Sequence, residues 1–232
     1  MKTVLYDRFV YVALDDAEMT VLEGIAPERF LAPRERAREA EMRLPRARRQ
    51  FRAGRVALKT AVLAVRNGRA NETCALEAAF RRDDYAALEI GSRDERDRGV
   101  APQLAQDYSR GSLAHIPSAA VAVYPRNAED ALGCDVVEFG AVKRNMLDLF
   151  FTETEREFLN EPDVWATGAQ DLFWAVKEAA YKAVSKELPF RANQIKVMPL
   201  ADGSYRAQVE GVVLPAFVVE RDADRATVVA IR

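Results

Sequence analysis

Residues 2–14, KTVLYDRFVYVAL, alternate well enough between apolar and polar positions to predict a strand. The spacing then lengthens: residues 33–66 are helical sequence, with a break expected near Pro45 and an end at Asn67-Gly68. Alternation returns over 72–90, interrupted by the charged run Arg81–Asp84, and the Gly- and Pro-punctuated stretch 91–102 predicts a loop. Ser112–Tyr124 and Leu132–Phe139 read as neighbouring strands joined by a polar turn over 125–130. Residues 145–160 predict one helix, or two short ones broken at Thr152. Four short strands close the chain, about 194–199, 204–209, 212–219 and 226–231. Asp202-Gly203 supplies a hairpin turn between the first two, because glycine accepts positive φ.

The most regular element is Asp171 to Glu187, DLFWAVKEAAYKAVSKE. Leu172, Val176, Ala179 and Ala183 fall within a narrow helical arc that Phe173, Ala180 and Val184 widen, and Asp171 is expected as the N-cap. Away from that arc runs the line Trp174, Glu178, Lys182 and Lys186. A carboxylate and an ammonium one turn apart beside an aromatic suit a metal-bound pyrophosphate. They also suit an ordinary solvated helix, where such a pair contributes about 0.3–0.5 kcal/mol. The helix alone leaves both readings open, with the solvated one ahead.

A chain of 232 residues, 49% of them hydrophobic, suits one large domain or two small ones. A net charge of −2 gives no global field for nucleic acid or membrane. Cys74 and Cys134 form neither a disulfide framework nor a metal knuckle, which fits a reducing compartment. The N-terminal run is interrupted by Asp7 and Arg8, unlike a signal peptide, and no stretch approaches the roughly 20 apolar residues of a membrane span. The expectation is a soluble, cytoplasmic protein. Between Arg29 and Arg69, thirteen basic residues face three acidic ones. In order of weight, the run reads as a solvated helix face, as a nucleic-acid surface, or as arginines that hold a phosphorylated small molecule. Nucleic-acid binding normally interleaves aromatics or spreads the charge over a whole domain, and neither is present here.

Phe51–Val62 lies over Phe173–Val184 without a gap, matching at 51/173, 57/179, 61/183 and 62/184. In this echo Arg55 stands opposite Lys177 and Val56 opposite Glu178. It predicts an α+β fold: a pseudo-twofold pair of units with a cleft between them, each a long helix on a small antiparallel sheet. The boundaries expected are 1–110 and 111–232, with a carboxylate on the second long helix only.

The single histidine, His115, ends Ser-Leu-Ala-His; a lone histidine on a strand is more often structural than functional. In Gly133-Cys-Asp-Val-Val-Glu138, strand alternation puts Asp135 and Val137 on one face and Glu138 on the other. An Asp in a β-branched run needs something to fix it, whether a metal ion or a strand-end turn. Asp135 with Glu178 would make a two-carboxylate, all-oxygen site of the kind Mg2+ accepts when water and substrate phosphates complete its shell.

Ser-Leu-Ala-His, Gly-Cys-Asp-Val-Val-Glu, Phe-Phe-Thr-Glu-Thr-Glu (150–155) and Phe-Trp-Ala-Val-Lys-Glu-Ala-Ala-Tyr-Lys (173–182) follow one another in that order. Together they resemble the 4'-phosphopantetheinyl transferases, whose signature is a G-x-D strand followed by a W/F-x-x-K-E-A/S-x-x-K helix. The resemblance covers about Ala32 to Ile195, and the two-unit layout is similar to the larger, Sfp-type branch, in which one chain forms a pseudo-dimer. It implies transfer of 4'-phosphopantetheine from coenzyme A to a serine of an apo acyl or peptidyl carrier protein, with release of 3',5'-ADP. It further implies a monomer with neither nucleic acid nor membrane as partner. By motif position Asp135 and Glu178 hold Mg2+, Glu178 can also take the serine proton, and Lys182 reaches the pyrophosphate. Lys177, about 100° round the helix, does not share that contact. His115 matches the family histidine at the 3'-phosphate, and Arg38, Arg49 and Arg55 would add charge around the nucleotide.

Three departures from the family pattern stand out. Val137 replaces the third carboxylate of the larger branch, so that Asp-Val-Val-Glu is similar to the small, AcpS-type branch; a two-carboxylate site with Glu138 off the metal is expected. Ala114 replaces the usual Ser before the histidine. Gly99-Val-Ala-Pro102 lacks the usual loop lysine, for which Arg98 is the candidate substitute. The alternative function is a relative that binds coenzyme A or a carrier without turnover.

Overall fold

The computed structural model describes residues 1–69, 72–91, 103–104, 111–184 and 189–232. The first apolar run is two strands. Asp7-Arg8 cannot continue a buried strand, and the chain turns there, with Tyr6 N–H donating to Phe9 O at 2.8 Å. The resulting hairpin pairs β1 (Lys2–Leu5) antiparallel with β2 (Phe9–Asp15). A short helix, α1 (Asp16–Glu23), follows directly, capped by Asp15.

Pro45 separates two helices, as the sequence predicts: α2 (Pro33–Glu41) and α3 (Pro45–Arg66) each carry proline in the first turn, where its missing N–H costs nothing. Residues 72–90 correct the expected alternation. Before Ile90 only β3 (Glu72–Thr73) pairs, with β1, and α4 (Leu76–Arg82) follows because Leu76, Ala79 and Phe80 share one helical face and join the core. So short an apolar run fits either period, and the core decides between them. The ladder β4 (Ile90–Gly91) with β5 (Gln103–Leu104) stands apart; the rest of the expected 91–102 loop lies outside the described residues.

Strands β6 (Ser112–Ile116) and β7 (Ala119–Pro125) form a hairpin, and β7 pairs with β2, giving the order β3-β1-β2-β7-β6. The chain therefore divides into Met1–Asp130 and Ala131–Arg232 rather than after residue 110. Seven residues of β7 are registered against β2, which binds the stretch after 110 to the first sheet. Val10, Val12 and Leu14 of β2 and Ala120, Ala122 and Tyr124 of β7 share a core with Val56, Ala57 and Leu58 of α3.

The second unit begins with β8 (Leu132–Glu138). Three short helices follow, α5 (Leu147–Phe150), α6 (Glu153–Leu159) and α7 (Pro162–Ala166), and then the long helix α8 (Ala169–Val184). The meander β9 (Lys196–Pro199), β10 (Tyr205–Val209), β11 (Val212–Arg221) and β12 (Arg225–Ile231) returns to pair β12 with β8. The order is β8-β12-β11-β10-β9, all antiparallel. Gly203 has φ +82°, as the hairpin reading required. Alternate residues Val197, Ala207, Leu214, Ala216, Ala226 and Val228 share a core with Leu172, Val176, Ala179, Ala180 and Ala183 of α8. Each unit is thus α+β, a long helix packed with a five-stranded antiparallel sheet. No described helix is long and apolar enough to cross a membrane.

Candidate active site

Strand β8 lies at an edge of its sheet and against α8, and its alternation decides what faces the helix. A β-carbon on Gly133 would meet the Ala179 carbonyl oxygen at 1.8 Å, so strand and helix backbones are in direct contact there. Asp135 and Val137 occupy the same face. Val137 is buried in the α8 core, and Asp135 meets the helix through Lys182. The Lys182 ammonium donates to Asp135 Oδ1 at 2.9 Å and to Cys134 O at 3.1 Å, and stands 3.8 Å from Glu178 Oε2. Both carboxylates therefore turn towards one cation, all three side chains being largely shielded (13–25% exposed).

Burial is the main cause that holds the Glu178 carboxyl above its ordinary value; Lys182 opposes the shift and Asp135 adds to it. Burial acts to lower the Lys182 ammonium, but the two carboxylates outweigh it and the net shift is upward. Half-buried aromatics line the same helix. Trp174 packs on Phe150 (4.5 Å between ring centres) and edge-on to Phe190 (5.7 Å), and Phe190 packs on Tyr181 (5.0 Å).

Other signature residues have structural posts. Lys177 is fully buried and donates to Glu155 at 2.7 Å, to Ala192 O at 2.9 Å and to Ile195 O. Glu155 is the third residue of α6, where it completes a capping box with Thr152 and also accepts from Val197 N–H at 2.7 Å. The Thr-x-x-Glu spacing announces the box in the sequence, while the lysine across the core is not readable from it. Asp171 is not the N-cap of α8, which begins two residues earlier after Gly168 (φ +76°). Its carboxylate instead accepts from Gly140 N–H and Val142 N–H, and this role carries no local signal. Lys186 lies outside the described residues, as do Arg98 and Gly99–Pro102.

Residues 131–230 match the 4'-phosphopantetheinyl transferase superfamily. The match begins at the first residue of the second unit and ends within β12, so it spans Asp135, Glu178 and Lys182 together. It takes in three of the four motifs that carry the resemblance; Ser112–His115 and the rest of the first unit lie outside it. No curated protein matches the chain. Within this unit the described residues contain no group of three or more Asp, Glu, His or Cys able to hold a metal ion. The acidic pair Asp135 and Glu178 is what the site offers.

The remaining candidates lie in the first unit. Arg55 is buried and Arg38 exposed, and their guanidinium carbons stand 4.8 and 6.0 Å from the centre of the Phe51 ring. Arg55 Nε lies 3.4 Å from Glu35 and makes no hydrogen bond. Burial lowers the Arg55 pKa to about 10; Glu35 opposes the shift and Arg38 deepens it. Arg49 is set differently, bonded to Asp16 and Thr20 of α1. His115 is exposed on β6, an edge strand of the first sheet.

The internal echo shifts by one helical turn. Lys59 of α3 is fully buried and bonded to Glu35, Phe30 O and Tyr85 O; Glu35 also accepts from Ala32 N–H and Ile90 N–H. These partners repeat those of Lys177 and Glu155. With Lys59 and Lys177 as counterparts, Thr60 rather than Val56 stands opposite Glu178, and the carboxylate is still confined to the second copy.

Proposed function

We propose that the chain transfers 4'-phosphopantetheine from coenzyme A to a serine hydroxyl of an apo acyl or peptidyl carrier protein, as a Mg2+-dependent holo-carrier-protein synthase acting as a monomer. The observation that carries this reading is the Lys182 ammonium, 2.9 Å from Asp135 and 3.8 Å from Glu178, inside a unit that matches the transferase superfamily. Two carboxylates that already converge on one cation fit a hard ion that keeps part of its water shell, so Asp135 and Glu178 would hold Mg2+. When bound, Mg2+ would neutralise charge on the pyrophosphate.

The protein's own groups do the rest. Glu178, held basic by its burial, accepts the proton of the attacking serine. The serine oxygen forms a bond to the β-phosphorus while the bridging P–O bond breaks, and 3',5'-ADP leaves with that electron pair. Lys182 lies against the pyrophosphate and stabilises the charge that develops on the leaving oxygen. In the first unit, Arg55 and Lys59 are two buried cations that share the carboxylate of Glu35, and Arg38 stands beside them. That surplus of positive charge supports nucleotide phosphates as the ligands of Arg38 and Arg55, with His115 at the 3'-phosphate. Arg49, spent on α1, is left out of the set.

The test mixes the protein with coenzyme A, Mg2+ and apo carriers of the fatty-acid, polyketide and peptide-synthetase types, and reads intact carrier mass. A gain of one phosphopantetheine that chelation of the metal abolishes is expected. Coenzyme A binding with no mass gain on any carrier would establish the non-catalytic alternative instead.

A further inference from the structure

The carboxylate of Asp171 is fully buried and spent on backbone that belongs to another element. Oδ1 accepts from Val142 N–H at 2.8 Å, and Oδ2 from Gly140 N–H at 2.9 Å and Gln170 Nε2 at 3.1 Å. Gly140 and Val142 lie two and four residues past the end of β8, and Asp171 is in the first turn of α8. Around this junction Gly140 and Gly168 have φ +82° and +76°, and Phe139 packs so tightly on Gly168 that an added β-carbon would meet its ring at 2.8 Å. The exit of the strand is thereby tied to the entry of the helix. At the other end of β8, Gly133 touches Ala179 and Ala183. Strand and helix run antiparallel between these two fixed points, and Asp135 meets Glu178 and Lys182 within the span they define.

We infer that Asp171 is a positioning residue for the Asp135–Glu178 pair: by holding Gly140 and Val142 to the head of α8 it sets the axial register of the strand against the helix, and so the separation of the two carboxylates. Neither fixed point suffices alone. The Gly133 contact sets how closely the two backbones approach but resists sliding weakly, being a contact of shapes. The Asp171 bonds are directional and charge-assisted, so they resist sliding. Residues outside a metal's direct ligands that fix those ligands typically change metal affinity by about 10–100-fold when altered. This inference rests on the transferase reading above, in which Asp135 and Glu178 hold the ion.

The test measures Mn2+ binding by electron paramagnetic resonance, without coenzyme A or carrier, in the parent, Asp171→Asn and Leu159→Ala. Leu159 is a fully buried core residue of α6 and serves as a destabilised control. Asp171→Asn is expected to weaken Mn2+ binding about tenfold, and Leu159→Ala to leave it at the parent's value. Equal Mn2+ affinity in Asp171→Asn and the parent, or equal losses in both variants, would overturn the inference. A parent that takes up no Mn2+ would sink the metal reading itself, and the inference with it. If Asp171→Asn does not fold, hydrogen exchange in the parent decides. Coupling is reciprocal, so added Mg2+ is expected to slow exchange at the Gly140 and Val142 amides; unchanged rates there overturn the inference.

Discussion

A β-carbon on Gly133 would stand 1.8 Å from the Ala179 carbonyl oxygen and 2.7 Å from Ala183 N. Both obstacles are backbone, so neither can rotate away, and the G-x-D spelling acquires a physical reason. Glycine lets β8 lie on α8, and the residue two positions on, on the same face, is delivered to Glu178 and Lys182. Gly133→Ala is expected to cost at least about 1–3 kcal/mol by overpacking and to weaken Mn2+ binding. Thermal denaturation and metal titration check the two effects; a variant that melts and binds like the parent would show that the strand can retreat at no cost.

Asp135 and Glu138 are close in sequence but on opposite faces of β8. Asp135→Ala is therefore expected to abolish transfer with the fold intact, whereas Glu138→Gln should keep transfer within about twofold, less than the ~1.4 kcal/mol that separates rates tenfold. Carrier mass-shift kinetics with circular dichroism separate the cases. Equal damage by both substitutions would mean that Glu138 reaches the reacting groups.

Lys177 and Lys59 are the buried cations of the two long helices, each held by a helix-capping glutamate and two carbonyls. Burial pulls both ammonium pKa values down, and Glu155 and Glu35 oppose it. Removal of Lys177 leaves the Glu155 carboxylate buried without its counterion, and removal of Lys59 leaves Glu35 with Arg55 alone, at 3.4 Å. Lys177→Met and Lys59→Met are each expected to lose about 3–5 kcal/mol in denaturant unfolding. A loss below ~1 kcal/mol would place these pairs with ordinary surface ion pairs.

Burial raises the Glu178 carboxyl above its ordinary 4.5. Over the window between 4.5 and that raised value, the folded chain holds a proton that the unfolded chain has released, so this group's contribution to stability falls as pH rises through it. Glu178→Gln, uncharged at every pH, is expected to melt above the parent near pH 7 and with it near pH 4, in metal-free buffer. The same variant should lose about 100-fold or more in transfer rate. A parent more stable than the variant at neutral pH would reverse the sign and show that the bond to Lys182 outweighs the burial of Glu178.

Arg38 and Arg49 divide the basic segment. Arg38→Ala removes a charge beside Arg55 and Phe51 and is expected to weaken coenzyme A binding about tenfold, the size of one charge-assisted contact. Arg49→Ala breaks bonds to α1 and is expected to lower stability by less than ~1 kcal/mol with coenzyme A affinity unchanged. Calorimetric titration with coenzyme A distinguishes them; weakened binding in Arg49→Ala would return that residue to the nucleotide site.

What the sequence determined by itself is periodic and local. Helical spacing put Glu178 and Lys182 on one stripe, strand alternation put Asp135 with Val137 and away from Glu138, and Pro45 and Gly203 marked a break and a turn through their own backbone restrictions. Residues 72–90 escaped this reading because so short an apolar run suits either period, and only the core that receives Leu76, Ala79 and Phe80 selects the helix. Tertiary structure alone decided what each charge meets. Asp171 was legible as a helix-start residue, but its partners lie 29 and 31 positions away. Lys177, next to Glu178 in sequence, is sealed in the core with Glu155, and the echo of the long helices shifted by a turn once Lys59 and Lys177 were seen to have the same partners. A backbone period fixes which residues share a face. It does not fix which other element covers that face, and that choice belongs to the packing of the whole unit.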